Sequence, residues 1–168
     1  MKPNDLPGNG ATLLTRDQLR KALSCFGTGV AVVTTLDHNG APVGLTVDSF
    51  NSVSMDPPLV LWSLALSAPS LPAFRSHPAF VVNILSHAQL DDCRRFALTG
   101  TDKFNGVQWL PGLHGAPVLN GNLATLHCLN YRQYAGGDHE IFLGEVARAE
   151  TTDQAPLIYY RGQFGTMD

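Results

Sequence analysis

Cysteine is scarce in this chain. Cys25, Cys93 and Cys128 are an odd number with no close spacing, which indicates neither a disulfide framework nor a zinc site. Each is expected to be a small core residue, the alternative being a redox-active thiol if two of them meet in the fold. Charge is sparse too, at 15% of residues against 44% hydrophobic. That balance excludes disorder and leaves few charges to cover a monomer, so part of the surface is expected to be a homodimer interface. The 11 Lys and Arg residues form no stripe and the net charge is −3, which argues against nucleic acid as a partner. Long apolar runs are missing: Leu59 to Trp62 falls far short of the roughly 20 residues a membrane helix needs. The opening MKPNDLPGNG lacks the basic-then-apolar form of a signal peptide, so a cytoplasmic protein is expected.

The best-marked enzyme motifs are absent as well. No G-x-G-x-x-G follows a strand, and there is no Walker loop, G-x-S-x-G elbow or H-E-x-x-H. The 6 histidines do not recur with another strong ligand at helical spacing, so no metal site is expected.

What is present reads as one domain over 13–168 after a loose Pro/Gly/Asn tail over 1–12. Thr15 to Gln18 has capping-box spacing, Leu14 and Leu19 suit a hydrophobic staple, and Leu19, Leu23 and Phe26 follow at helical spacing until Gly27 and Gly29. AVVTTL and PVGLTV then read as strands around an Asn39-Gly40 turn, followed by SFNSVSM, a Pro57-Pro58 break and LVLWSL. Ser70 can cap a short helix through Ser76, AFVVNIL is a strand, and Ser86 with Gln89 opens a helix that stops at Gly100. Thr101 to Pro117 reads as a long loop with one helical turn. Asn120-Gly121 marks a hairpin turn, LATLHCLNYRQY and HEIFLGEVARAE pair around Gly136-Gly137-Asp138, and LIYY closes the chain. Four strands before a second helix favour an antiparallel barrel with about three peripheral helices over βαβ units.

One stretch is rich in hydroxyls: Thr46, Val47, Asp48, Ser49, Phe50, Asn51, Ser52, Val53, Ser54. It reads either as a half-exposed strand and turn or as a row of hydrogen-bonding partners for a planar, polar-edged ligand. Ser67 and Ser70, at a helix start, suit a phosphate or simple capping equally. His139, in Gly136-Gly137-Asp138-His139, is either a turn residue or a polar tip facing a cleft.

As an ordered set, FGTGVAVVTT, GLTVDSFNSVSMDPPLVLWSL, AFVVNIL, DKFNGVQWLPG, GGDHEIFLGEV and PLIYYRGQF resemble the flavin reductase-like family, the small components of two-component flavin monooxygenases. The similarity runs from about Leu19 to Phe164. It implies a mostly β fold, the antiparallel FMN-binding split barrel, in a homodimer with flavin at the barrel mouth. It implies that Thr46, Val47, Asp48, Ser49, Ser52, Val53 and Ser54 line the ring and ribityl chain of FMN or FAD, that Ser67 and Ser70 meet the phosphate, and that Thr28 and Asn83 add further contacts. His139 would be the catalytic residue, seating NADH or NADPH at the nicotinamide side, with Tyr160 and Arg161 bordering the same cleft. The implied activity is NAD(P)H:flavin oxidoreduction supplying a separate monooxygenase. The other reading is a non-catalytic module holding flavin, haem or a deazaflavin.

Hydride transfer explains the missing acid–base motif, because the flavin carries the chemistry and the protein positions it. The nicotinamide carbon and flavin nitrogen must approach to about 3–3.5 Å. Two features depart from the family pattern: Asp48 stands where a neutral polar residue is frequent, and Leu66 to Ser70 contains no basic residue for a phosphate. Both predict a flavin that comes and goes.

Overall fold

The computed structural model describes residues 14–100 and 102–167. The expected tail over 1–12 lies outside them. Seven strands form one antiparallel sheet: β2 (Ala31–Leu36), β3 (Pro42–Val47), β4 (Asn51–Met55), β5 (Pro58–Ala65), β6 (Ala79–Ile84), β9 (Ala124–Gly136) and β10 (His139–Thr151), in the order β3-β2-β6-β9-β10-β5-β4. Its two edge strands, β3 and β4, are joined by residues 48–50 alone. A sheet whose edges are tied by so short a corner has to curl round on itself, as strand twist favours. No ladder pairs β3 with β4, so the barrel keeps a seam.

Two apolar cores follow from strand alternation. Ala31, Val33, Trp62, Phe80, Cys128 and Phe142 fill one face, with Leu71 and Phe74 of α2 (Leu71–Ser76). There Trp62 stacks on Phe142 at 4.7 Å and meets Phe74 edge-on at 4.8 Å, favourable aromatic geometries. Val30, Val32, Leu85 and Leu157 point the other way, against Cys93 and Phe96 of α3 (Leu90–Ala97). Both faces of β2 are thus covered, which is why it is buried from Ala31 to Thr35 without alternation. At Gly44 an added Cβ would lie 2.9 Å from the Phe96 ring, so a side chain there would push α3 away.

The opening helix, α1 (Arg16–Leu23), carries the full capping box expected of Thr15 and Gln18. None of its residues is buried, however, and Leu14 and Leu19 are 68% and 45% exposed, so the staple does not close over a core. Cys25 is exposed at its end, which corrects its assignment to the core; Cys93 and Cys128 are buried as expected. The Ser86–Gln89 box forms but opens a single 3₁₀ turn ahead of α3, which stops at Ala97 before Gly100.

The segment expected to be a loop contains β7 (Trp109–Pro111), paired with β8 (Pro117–Leu119) around a 3₁₀ turn at Leu113–Gly115. Asn120-Gly121 is a turn, with Gly121 at φ +88°, but it joins β8 to β9 without pairing them. At the Pro57-Pro58 break the chain turns from β4 to β5 through Asp56-Pro57, Met55 pairing with Pro58. A small third sheet, β1 (Thr28–Gly29), β11 (Ile158–Tyr160) and β12 (Gln163–Gly165), gathers both ends of the domain.

Candidate functional site

A cleft of about 600 Å³ opens on the β3 side of the seam. One wall is β3 from Pro42 to Thr46, an edge strand; the opposite wall is Ala65 at the end of β5 and the Ser67–Ser70 segment leading into α2. The third side is the end of α3 with Asp102, Lys103 and Phe104. The volume suits a drug-sized or cofactor-sized ligand.

Three predicted residues meet here: Thr46, Ser67 and Ser70. The Thr46 hydroxyl donates to the Cys93 carbonyl at 2.7 Å, fixing β3 on α3 and leaving its lone pairs as acceptors. Ser70 makes no capping bond to its helix, which removes the capping alternative and leaves the hydroxyl available to a ligand.

Lys103 is the residue that local sequence reading missed. The Leu66–Ser70 wall has no cation of its own, but the chain after α3 brings this one to the same cleft. Its ammonium donates to the carbonyls of Phe96 (2.9 Å) and Gly44 (3.2 Å), leaving one N–H for a ligand. Burial pulls its pKa below the usual lysine value. No ion pair among the described residues includes it. One available N–H of a half-buried cation, two hydroxyls and the apolar Val43, Leu45 and Pro69 fit a phosphorylated planar ligand. The available signal was its place shortly after Gly100, inside the DKFNGVQWLPG block that carries the resemblance only as a whole.

His139 stands one strand from the cleft. It pairs in register with Ala65, and the Leu66 amide donates to the Asp138 carbonyl at 3.0 Å, so the turn is stitched to the wall carrying Ser67. The His139 Nδ1–H donates to the Asp138 carboxylate at 2.7 Å, which orients the ring. That hydrogen bond, with the charge on His139, holds the Asp138 carboxyl below the usual aspartate range.

The other predicted residues lie elsewhere. Val47 is buried in the core. Ser49 donates to the Ser63 carbonyl at 3.3 Å and accepts from the Ser63 amide at 3.1 Å, so it ties the β3–β4 corner to β5. Asp48, Ser52 and Val53 are exposed and Ser54 is half-buried, along the corner and the bulged β4 edge; none of them lines the cleft. Asn83 is corrected from ligand contact to core: it is 0% exposed. Its amide donates to Val32 O and Thr34 Oγ1, and its carbonyl accepts from the Leu119 amide and the Asn122 side chain. Thr28 sits in the small sheet with its hydroxyl enclosed and without a partner among the described residues. Tyr160 and Arg161 do not border this cleft. The Arg161 guanidinium lies over the Tyr160 ring and reaches the Cys25 sulfur at 3.5 Å, pinning the β11–β12 turn to the end of α1.

Fold and cleft define a seamed β-barrel with an open cleft walled by backbone, hydroxyls and one lysine. The flavin reductase like domain model matches residues 23–168, and the chain belongs to that family. It is 44% identical over 146 residues to the FMN reductase (NADH) SmoA of Agrobacterium fabrum, covering 87% of this chain and 83% of that one. It is 36% identical over 165 residues to the reductase subunit HsaB of a flavin-dependent monooxygenase from Rhodococcus jostii, covering 96% and 84%. Among solved structures, the NADH:FAD oxidoreductase SgcE6 of Streptomyces globisporus, in complex with NAD and FAD fragments, superposes with a TM-score of 0.86 at 38% identity, covering 94% and 98%.

Proposed function

We infer that the chain is an NAD(P)H:flavin oxidoreductase, with FMN or FAD in the seam cleft and the dinucleotide entering from the His139 side. The observation that carries this is the meeting of Lys103, Ser67, Ser70 and Thr46 in one cleft, with His139 one strand away. When bound, the flavin ring supplies the two-electron acceptor for the nicotinamide hydride. The chain's own residues bind and orient: Lys103 and the two serines hold the phosphate, Val43, Leu45 and Pro69 exclude water from the ring, and His139, steadied by Asp138, seats the nicotinamide. The β4 hydroxyls of exposed Ser52 and half-buried Ser54, with Asp48, extend the site along the seam for the ring edge.

The reduced flavin is passed to a separate monooxygenase component, as the resemblance to reductase subunits supports. Leu19 and Leu23 on α1 and Phe26 just past its end, 45%, 64% and 72% exposed, support a homodimer that covers α1. No helix among the described residues is long and apolar enough to cross a membrane, and the cytoplasm, where reduced dinucleotides are held, is the proposed location.

The test is loss of absorbance at 340 nm with NADH or NADPH, run with FMN and then FAD on protein whose visible spectrum is recorded first. Oxidation that needs added flavin is the expected result. A yellow protein that oxidises neither dinucleotide would instead be a flavin-holding module.

A further inference from the structure

Glu140 is a buried carboxylate directly after His139, its side chain 10% exposed. Its partner is Arg75, in the last turn of α2. The Arg75 Nε lies 2.9 and 3.2 Å from the two carboxylate oxygens, and Nη2 closes the second tooth of a fork on Oε2. No other hydrogen bond reaches this carboxylate among the described residues. An apolar pair of the same shape would fill the space without desolvating a charge, so the fork is poorly explained as a source of stability; what it adds is fixed geometry.

The two elements it joins are unequally anchored. α2 sinks Leu71, Ala73 and Phe74 into the barrel, and Asn130 closes its far end by donating to the carbonyls of Phe74 (2.9 Å) and His77 (2.7 Å). The β9–β10 tip is exposed from Tyr131 through Asp138 and packs no side chain into a core. β6 has already left β9 at Leu129, so beyond that point the tip is held by its own pairing, by β5 with the Leu66 amide on the Asp138 carbonyl, and by the fork. α2 is therefore the fixed body, and the fork references the tip to it.

We propose that Arg75 and Glu140 are a positioning pair for the dinucleotide, setting His139 relative to the cleft wall that begins at Ser67. This rests on the assignment of His139 to the nicotinamide side. The pair reaches the ligand only through the turn, so breaking it leaves the phosphate end of the flavin site intact.

The test uses the full chain in steady state at saturating flavin, with flavin affinity measured separately by fluorescence quenching. Glu140→Gln and Arg75→Gln are expected to raise the dinucleotide KM by about 5- to 20-fold while flavin Kd stays within about twofold. The charge-reversed Arg75→Glu/Glu140→Arg protein is expected to recover most of the loss. In a His139→Ala background, Glu140→Gln is expected to add less than about twofold, because the pair acts through that ring. If Glu140→Gln fails to fold, Arg75→Lys, which keeps the charge and loses the fork, gives the same readout. Equal losses in flavin Kd and dinucleotide KM, or full additivity with His139→Ala, would overturn the proposal. A normal KM in His139→Ala would overturn it through the nicotinamide assignment; a raised KM there with a normal KM in Glu140→Gln would overturn the pair alone.

Discussion

Helices α1 and α2 are opposites in how they are made. α1 has a complete capping box, Asp17 in its first turn and Arg20 and Lys21 in its last, and buries nothing. α2 is a residue shorter than two turns, has a proline in its first turn and no side-chain cap, yet contributes three buried side chains to the barrel. Local signals suffice to start a helix on a surface; burial keeps a poor one in place.

Phe74→Ala is the change that separates them most. It removes the ring that meets both Trp62 and Phe142 edge-on and is expected to cost about 3–5 kcal/mol in chemical denaturation, the range for a large buried aromatic. Next comes Lys103→Met, which keeps the stem and removes the charge. Flavin Kd is expected to rise by about 10- to 100-fold in a quenching titration, with the dinucleotide KM at saturating flavin little changed. An unchanged flavin Kd would place the phosphate elsewhere.

His127 extends the contrast to protonation. It is 1% exposed, accepts from the Leu113 amide at 3.2 Å and faces Arg148 at 2.8 Å. Burial first, and the Arg148 charge second, hold its pKa below the usual histidine value. The unfolded chain therefore takes up the proton more readily. The stability this neutral ring contributes is complete above about pH 6.5 and is lost as pH falls through the lowered folded value. Urea midpoints of His127→Gln should fall less than those of the parent over that window. The smallest effect belongs to Thr15→Ala: about 0.5–1 kcal/mol or less, since the cap serves a helix without a core. A Thr15→Ala loss as large as that of Phe74→Ala would break the comparison and mark α1 as covered in solution.

What was legible in the sequence follows the same division. β2, β3, the β9–β10 pair and both capping boxes are written in neighbouring residues, in alternation, Asn-Gly turns and fixed spacings. β7 escaped because three residues between Gly106 and Gly112 carry no period of their own and become a strand only against β8. The cleft was half legible. Thr46, Ser67 and Ser70 stand out by chemistry, but Lys103 arrives from a loop some thirty residues downstream of Ser70. Asn83 carries the same polar side chain as a ligand contact would; the partners that consume it come from β2, β8 and the turn before β9.

The seam between β3 and β4 bears on traffic. Opening a fully laddered barrel would sever a row of backbone hydrogen bonds, each worth about 0.5–1.5 kcal/mol net. Here the two lips are joined only through the 48–50 corner, and a visitor arriving between them displaces water and side chains while every ladder stays whole. The doorway is part of the resting architecture, so a guest that comes and goes need not wait for the barrel to open.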